Sequence, residues 1–304
     1  MKTHNAHIII FLLLFLSVVS EAEVHQLGIG LRGGVSALQY KAQAGGALPN
    51  LQTGLDIDYT YMSDFYVGMR VGVNMDYATS VFQARPYADQ YSCVDVEQDD
   101  MDVSYTMGRL WEKHRQVYAS LPVQLALAYE GWWMFAGPKF MFPLYMHRTT
   151  RAYNADLWCT YPYYESTVDE ALALRAGLRG LQQTSSRENM LPVLWYALSL
   201  ETGYDVYQHV ARLRTSSWGL RVSVYADVAI NEYEVAKTSN LSVLTLTDTR
   251  DGIPVERVLE SVLRSNKGYS PLVQSYRYWA CGVKLTFLLQ KGEQRRPCRT
   301  CHVL

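Results

Sequence analysis

The sequence carries little charge and lacks long apolar runs beyond its N-terminus. Charged residues make up only 19% of the 304 residues, and the formal net charge is −1, so no basic excess indicates a nucleic-acid partner. After residue 22, no segment approaches the roughly 20 apolar residues of a membrane-spanning helix. That absence is usual in a soluble secreted protein. The 23 tyrosines suit a chain with many strands. The pattern of these strands must decide between a soluble secreted protein and one that crosses a membrane with strands.

The N-terminal residues have the pattern of a signal peptide. Lys2 supplies a positive charge, Ile8 to Val19 is an apolar run, and Ser20-Glu21-Ala22 has small residues at the two positions that a signal peptidase reads. We predict cleavage after Ala22, the alternative being an uncleaved anchor. The predicted organisation is a signal peptide at 1–22, a barrel domain at 23–290 and a polar tail at 291–304.

Residues 65–77 alternate strictly between two kinds of side chain. Every second residue from Phe65 to Tyr77 is apolar, whereas the residues between them are polar or glycine apart from Tyr66. A strand alternates sides with a period of two, so one face is apolar and the other is polar or small. Seven further segments show the same alternation: 27–37, 51–61, 117–129, 132–146, 194–206, 218–230 and 279–289.

All charges in these eight segments fall on the polar face. They are five cations and six carboxylates: Arg32, Arg70, Lys139, Arg221 and Lys284, with Asp56, Asp58, Asp76, Glu201, Asp205 and Asp227. A slip of one residue would turn all of them outward, at a cost of up to ~2–4 kcal/mol each in the middle of a bilayer. We therefore predict that the charges meet inside a barrel and fill it with ion pairs.

Strand length and connection length favour a membrane barrel over a soluble sandwich. The segments run for about 11–15 residues, whereas soluble strands average about 5–6. Short connections at 62–64, 130–131 and 207–217 alternate with longer ones at 38–50, 78–116, 147–193 and 231–278. Aromatic residues recur at the short-turn end: Tyr59, Tyr61, Phe65, Tyr129, Trp132, Tyr204, Trp218 and Phe287. The predicted fold is all-β: a closed antiparallel up-and-down transmembrane barrel of about eight strands, with both termini periplasmic.

Three groups of short motifs resemble a known family. They are Leu31-Arg32-Gly33-Gly34-Val35, then Leu121-Pro122-Val123 with Ala136-Gly137-Pro138-Lys139-Phe140, and finally Gly282-Val283-Lys284-Leu285-Thr286-Phe287. With these the chain resembles the Bacteroidota outer-membrane β-barrel family, which contains PorT-like and OmpA-like barrels. The resemblance implies insertion into the bacterial outer membrane by the barrel assembly machinery, and for PorT-like members an association with type IX secretion. It implies no catalytic residue. Pro122, Pro138 and Pro143 depart from regular strands and predict bulges.

Two cofactor motifs occur in unsuitable surroundings. Gly28 to Gly33 matches the dinucleotide pattern G-x-G-x-x-G, but a strand follows it where a helix is required. Cys298-Arg299-Thr300-Cys301-His302 matches the haem-attachment pattern, but only two residues follow it. We expect no cofactor and no metal. A redox-active or metal-prone pair remains an alternative for Cys298 and Cys301.

The long connections contain further candidates. Cys93 and Cys159 either form a disulfide or remain thiols. Helices are expected at 166–174, after a capping sequence, and at 254–263. Five aromatic residues precede the first helix and either bind a glycan or protein at the surface or pack within their loop: Tyr153, Trp158, Tyr161, Tyr163 and Tyr164.

These observations predict a non-enzymatic barrel with a structural, interaction or secretion-associated role. Its expected partners are outer-membrane lipid, including lipopolysaccharide, and possible envelope or secretion proteins. The alternatives are a lipid-modifying enzyme or a narrow diffusion pore. The enzyme is disfavoured because the apolar faces of the eight segments offer no serine or histidine as a nucleophile or base.

Overall fold

A computed structural model describes residues 24–42, 44–63, 66–94, 99–164, 166–168, 184–189, 194–206, 218–235, 243–247, 256–263 and 272–291. The predicted signal peptide and the tail beyond Lys291, with Cys298 and Cys301, lie outside these residues. No helix in the described part of the chain is both long and apolar enough to cross a bilayer.

Fourteen strands are present in the described residues. They are β1 Val24–Ala42, β2 Gly46–Met62, β3 Val67–Ala84, β4 Tyr87–Val94, β5 Asp100–Tyr129, β6 Trp132–Tyr161, β7 Ser166–Val168, β8 Thr184–Asn189, β9 Trp195–Asp205, β10 Trp218–Ala229, β11 Tyr233–Glu234, β12 Leu244–Thr247, β13 Glu256–Leu259 and β14 Val273–Lys291. A 3-10 helix covers Pro162–Tyr164.

Eight of these strands close into a ring. The antiparallel order is β1-β2-β3-β5-β6-β9-β10-β14, and β14 pairs again with β1. Apart from the short strands added at the edges, each barrel strand pairs with the barrel strands before and after it in the chain. The predicted closed, antiparallel, up-and-down barrel of eight strands is confirmed.

Tight turns connect the barrel strands at one end. β5 and β6 are joined by Glu130 and Gly131 alone, and both have positive φ, 47° and 89°, as a two-residue type I′ hairpin turn requires. At the β2–β3 turn, the Ser63 amide and hydroxyl both donate to the Val67 carbonyl, at 3.0 and 2.8 Å. These are two of the predicted short connections.

At the other end of the barrel, much of the described chain that was predicted to form long connections continues the strands instead. β1 and β2 continue to Ala42 and from Gly46, so the loop expected at 38–50 is wrong and only three residues separate the two strands. β5 and β6 contain 30 residues each, about three times what a tilted strand needs to cross a bilayer. Together with the outer part of β3, they form a sheet that projects from the barrel. β4, β7 and β8 add to it.

The helix expected at 254–263 is also wrong over the described residues. Glu256–Leu259 is a strand that pairs with Leu244–Thr247, and a turn follows at Val262 and Leu263. Of the segment 166–174, residues 166–168 are a short strand paired with β6, and the remainder lies outside the described residues.

Of the three prolines predicted to cause bulges, only Pro143 does so. The prediction is wrong at Pro122 and Pro138, because the register of β5 with β6 and of β6 with β9 is constant across them. Val117 of β5 lies opposite Tyr145 of β6, but the next residue, Tyr118, lies opposite Pro143. Leu144 is therefore an extra residue on β6, which removes the need for a ladder donor at the proline.

Two adjacent glycines at the β1–β14 seam have opposite surroundings. A Cβ atom on Gly34 would lie 2.1 Å from the Cys281 carbonyl oxygen, whereas a Cβ on Gly33 would meet nothing within 4 Å. The backbones of β1 and β14 can thus approach this closely only because residue 34 has no side chain.

We predict that Gly34→Ala destabilises the barrel by about 1–3 kcal/mol, because the added methyl forces the seam apart. Gly33→Ala is the matched control and should behave like the wild type. Urea unfolding in lipid vesicles, followed by tryptophan emission, measures both. Equal stability of the two variants would contradict the close contact at the seam.

Candidate functional site

The barrel interior is occupied by charged side chains from every barrel strand except β5. All eleven charges assigned to the polar face are buried, with 0–6% of each residue exposed. Small residues make room for them: a Cβ on Gly54 would lie 2.5 Å from Asp76 Oδ1, and a Cβ on Gly30 would lie 2.7 Å from Lys284 Cε. At this level, buried side chains therefore occupy the lumen.

Arg32 and Lys139 hold three carboxylates at one level of the interior. Arg32 binds Asp56 with two nitrogens, Nη2 at 2.7 Å and Nε at 3.1 Å. Lys139 Nζ lies between Asp76 and Asp227, at 2.9 and 2.8 Å. Arg32 Nη1 also approaches the last two carboxylates, at 3.4 and 3.3 Å. These pairs join β1, β2, β3, β6 and β10 across the lumen.

A second group lies around Glu201. Arg70 donates to Glu201 at 2.5 Å, and Lys284 lies 3.5 Å from the same carboxylate and 3.1 Å from Asp58. Lys284 also lies 3.6 Å from Asp56, which links this group to the first one. Nine of the eleven charges thus form one connected network across the barrel.

The remaining pair lies near the short-turn end. Arg221 Nε donates to Asp205 at 2.7 Å, and the Trp133 indole nitrogen donates to the same carboxylate at 2.6 Å. The Arg221 guanidinium also lies 4.0 Å from the centre of the Trp133 ring, and that of Arg70 lies 3.9 Å from the Phe135 ring. Sequence reasoning did not select these two aromatic residues, although they share the parity of the inward-facing Lys139.

A layer of aromatic side chains covers the ionic interior on the side away from the short turns. Trp195 Nε1 donates to the Tyr118 hydroxyl at 3.0 Å, and its ring packs against Tyr276, Tyr278 and Tyr233. Tyr118, Trp195, Tyr276 and Tyr278 belong to the main hydrophobic cluster of the described residues, and Tyr233 packs against it.

Beyond this layer lies a second buried polar group, the Glu112 cluster, made of Glu112, His114, Arg148, Thr150 and Ser261. Glu112 accepts from the Thr150 hydroxyl at 2.6 Å and the Ser261 hydroxyl at 2.7 Å. Its carboxylate also lies 2.5 Å from His114 Nε2. All five residues are buried, with 0–2% exposed.

The Glu112 cluster fastens a distant segment over the mouth of the barrel. We call residues 243–247 and 256–263 the cap. Besides Ser261, the cap donates its Val262 amide to Glu112 at 3.1 Å, and its Leu259 carbonyl accepts from Arg148 at 2.9 Å. Apolar cap residues join the main hydrophobic cluster with residues of β5 and β6: Val243, Leu244, Leu259, Val262 and Leu263.

The cluster does not have the order of a catalytic triad. In such a triad the serine contacts the imidazole, and the carboxylate contacts the other imidazole nitrogen. Here both Ser261 and His114 Nε2 contact Glu112, and His114 Nδ1 has no hydrogen-bond partner. Because the serine is also fully buried, the arrangement fits a structural role, in which the hydrogen bonds hold the cap against β5 and β6.

Burial lowers the pKa of His114, and the nearby Arg148 charge lowers it further, although Glu112 acts in the opposite direction. His114 lies beyond the apolar surface of β5, which begins at Val117. The neutral imidazole donates through Nε2 to Glu112 and is the form that the closed cap favours.

The two cysteines proposed for a disulfide lie on either side of β5. Cys93 is opposite Met101, and Cys159 is opposite Val103 on the other edge. Strands separated by one intervening strand are about 9.6 Å apart, beyond the ~7 Å limit between the Cα atoms of a disulfide. The proposed bridge does not fit this pairing.

The five aromatic residues proposed for surface binding do not form a loop cluster. Tyr153, Trp158 and Tyr161 lie on β6 and are half-buried. Tyr163, in the 3-10 helix, is 87% exposed, and Tyr164 belongs to the same helix.

No family model matches the chain, and no curated protein does. Among solved structures, it is similar to Ail, the attachment invasion locus protein of Yersinia pestis (9% identity, 87% of this chain, 99% of that chain, TM-score 0.25). It is also similar to Neisserial surface protein A (8% identity, 87% of this chain, 96% of that chain, TM-score 0.27). A third similar structure is the outer-membrane protease OmpT of Escherichia coli (9% identity, 88% of this chain, 96% of that chain, TM-score 0.29). At such identities and TM-scores, these likenesses assign neither family nor function, and the barrel rests on its own strand pairing.

We predict that Lys139→Met destabilises the barrel by about 3–5 kcal/mol, because Asp76 and Asp227 then lose their nearest cation in a buried site. Lys41→Met, at an exposed position of β1, is the control and should cost little. The measurement is urea unfolding in lipid vesicles. Wild-type stability of Lys139→Met would show that the lysine does not hold these carboxylates.

We predict that the cap loosens as the pH falls below about 6.5, the usual pKa of a histidine that regains contact with water. Because the closed form lowers the pKa of His114, its stabilising effect is present above that pH and is lost below it. Hydrogen-exchange protection of residues 256–263 measures the change between pH 7.5 and pH 5.5. His114→Gln can still donate to Glu112 and should remove most of the pH dependence, so an unchanged dependence would contradict the role of His114.

Proposed function

We propose that the chain is an integral protein of the bacterial outer membrane, without enzymatic activity, that serves a structural or interaction role with a filled interior. The observation that carries this proposal is a continuous belt of exposed apolar side chains around all eight barrel strands. Ile57, Val73 and Leu125 are each about 60% exposed, at 59, 58 and 61%. A soluble protein rarely exposes so large an apolar surface.

The belt agrees with the burial of charge on the opposite face. No charged residue faces outward within the belt in the described strands, whereas eleven face inward. Five exposed aromatic side chains lie at the short-turn end of the belt: Tyr59, Tyr129, Trp132, Trp218 and Phe287. They are suited to the membrane interface. Tyr61, also expected in this girdle, is buried at 2% exposure.

Orientation follows from connection length. Outer-membrane barrels have short periplasmic turns and longer external segments, so the Glu130–Gly131 turn and both barrel termini belong on the periplasmic side. The projecting sheet and the cap then lie outside the cell. The lipid face of the described strands offers no serine or histidine within the belt, which supports a non-enzymatic role.

The resemblance to PorT-like proteins adds a narrower hypothesis, namely association with a secretion assembly, after insertion by the barrel assembly machinery. Cross-linking in intact cells followed by identification of co-purified proteins tests it. Recovery of secretion components supports the narrower role, and recovery of peptidoglycan-linked proteins alone supports a purely structural one. If the protein were instead a diffusion pore, recordings in planar bilayers would show single-channel conductance.

We predict that Ile57→Arg destabilises the protein in lipid vesicles by about 2–4 kcal/mol, because the charge would lie near the middle of the bilayer. Gln90→Arg, at an exposed position on β4 outside the belt, should have little effect. The measurement is reversible urea unfolding in vesicles. Equal stability of the two variants, or a wild-type chain that is soluble without detergent, would contradict membrane insertion.

A further inference from the structure

Just beyond the apolar belt, β5 and β6 carry a group of outward-facing cations. We call Arg109, Lys113 and Arg115 of β5, with Arg151 of β6, the basic ladder. Their side chains are exposed or half-exposed, whereas the alternate positions Glu112 and His114 are buried. The ladder therefore lies on the outer surface of the projecting sheet.

The residues of β3 and β6 that lie opposite these positions include no carboxylate. The row through Arg115 reads Thr79, Arg115 and His147 across β3, β5 and β6. The next row reads Val81, Lys113 and Thr149, and the third reads Gln83, Trp111 and Arg151. Across these three strands, each cation therefore lies beside residues that carry no carboxylate.

The ladder cations make no ion pair in the described residues. By contrast, each of the five interior cations has a carboxylate within 3.1 Å, and the exposed Arg277 has Glu232 at 3.3 Å. Arg151 instead lies over the Trp111 ring, 5.5 Å from its centre. Adjacent like charges on a sheet repel each other, so this surface is complementary to an anionic partner.

Position on the barrel indicates which anion that is. Arg115 is two residues beyond Val117, where the apolar surface of β5 begins, and thus roughly 7 Å farther along the strand. The polar headgroup region begins at that level and occupies about 5–7 Å on each side of the hydrocarbon core. Tyr145, 46% exposed, marks the boundary on β6.

We propose that the basic ladder binds the phosphate groups of lipopolysaccharide in the outer leaflet, beside the barrel. Arg115 and Lys113 lie at the level of the lipid A phosphates, and Arg151 and Arg109 extend the site toward the inner core. Guanidinium groups bind phosphate oxygens with two parallel hydrogen bonds. This inference rests on the proposed orientation in the outer membrane and adds a specific lipid partner.

The test uses the full chain in maltoside micelles. Bisphosphorylated lipid A, its dephosphorylated form and soluble pyrophosphate are titrated separately, and bound ligand is measured by native mass spectrometry. The ladder variant is Lys113→Gln with Arg115→Gln. The control variant, Lys41→Gln with Arg277→Gln, removes the same charge from β1 and β14.

We expect the ladder variant to bind bisphosphorylated lipid A at least about tenfold more weakly than the wild type, since it loses two charge-assisted contacts. The control should stay within about twofold, and dephosphorylated lipid A should bind the wild type as weakly as lipid A binds the ladder variant. Undiminished binding by the ladder variant, or pyrophosphate binding as tight as lipid A binding, would overturn the proposal. Either result would contradict the phosphate site alone and would not contradict the proposed membrane barrel. A chain that is soluble without detergent would contradict membrane insertion itself.

Discussion

An eight-stranded barrel is just wide enough for its own side chains to fill it, and in this chain many of those side chains are charged. A charge removed from water is tolerated only when it is paired and hydrogen-bonded. Arg32, Lys139 and Lys284 therefore each contact two or more carboxylates from different strands. The strand register, the inward glycines and the outward apolar belt all depend on these pairs, because a slipped strand would break them and expose charge to lipid.

The sequence predicts the two faces of the barrel well and the ends of its strands poorly. Alternation with a period of two assigns Ile57 outward and Asp56 inward, and both assignments depend only on local geometry. The predicted segments stop where the outward residues cease to be apolar. β5 nevertheless continues to Asp100. Leu110 still faces a covered interior, and beyond Gly108 the buried set changes face, so that Tyr105 and Met107 are buried there while Ser104 and Thr106 are only partly buried.

The partners of the charges and the Glu112 cluster were beyond sequence reasoning. Parity places Lys139 inside, but its contacts with Asp76 and Asp227 depend on the curvature of the ring. The hydrogen bond from Ser261 to Glu112 spans 149 positions, and its segment has the apolar pattern of a short helix. Tertiary contact with the barrel mouth determines the strand conformation there, which local propensity does not reveal.

The seam between β1 and β14 has a consequence for assembly. Eighteen residue pairs join the first barrel strand to the last one, so the ring cannot close until the final strand has been synthesised. Until then, both seam strands have unpaired backbone amides and carbonyls, which are costly in hydrocarbon. These backbone groups are satisfied only when β14 pairs with β1.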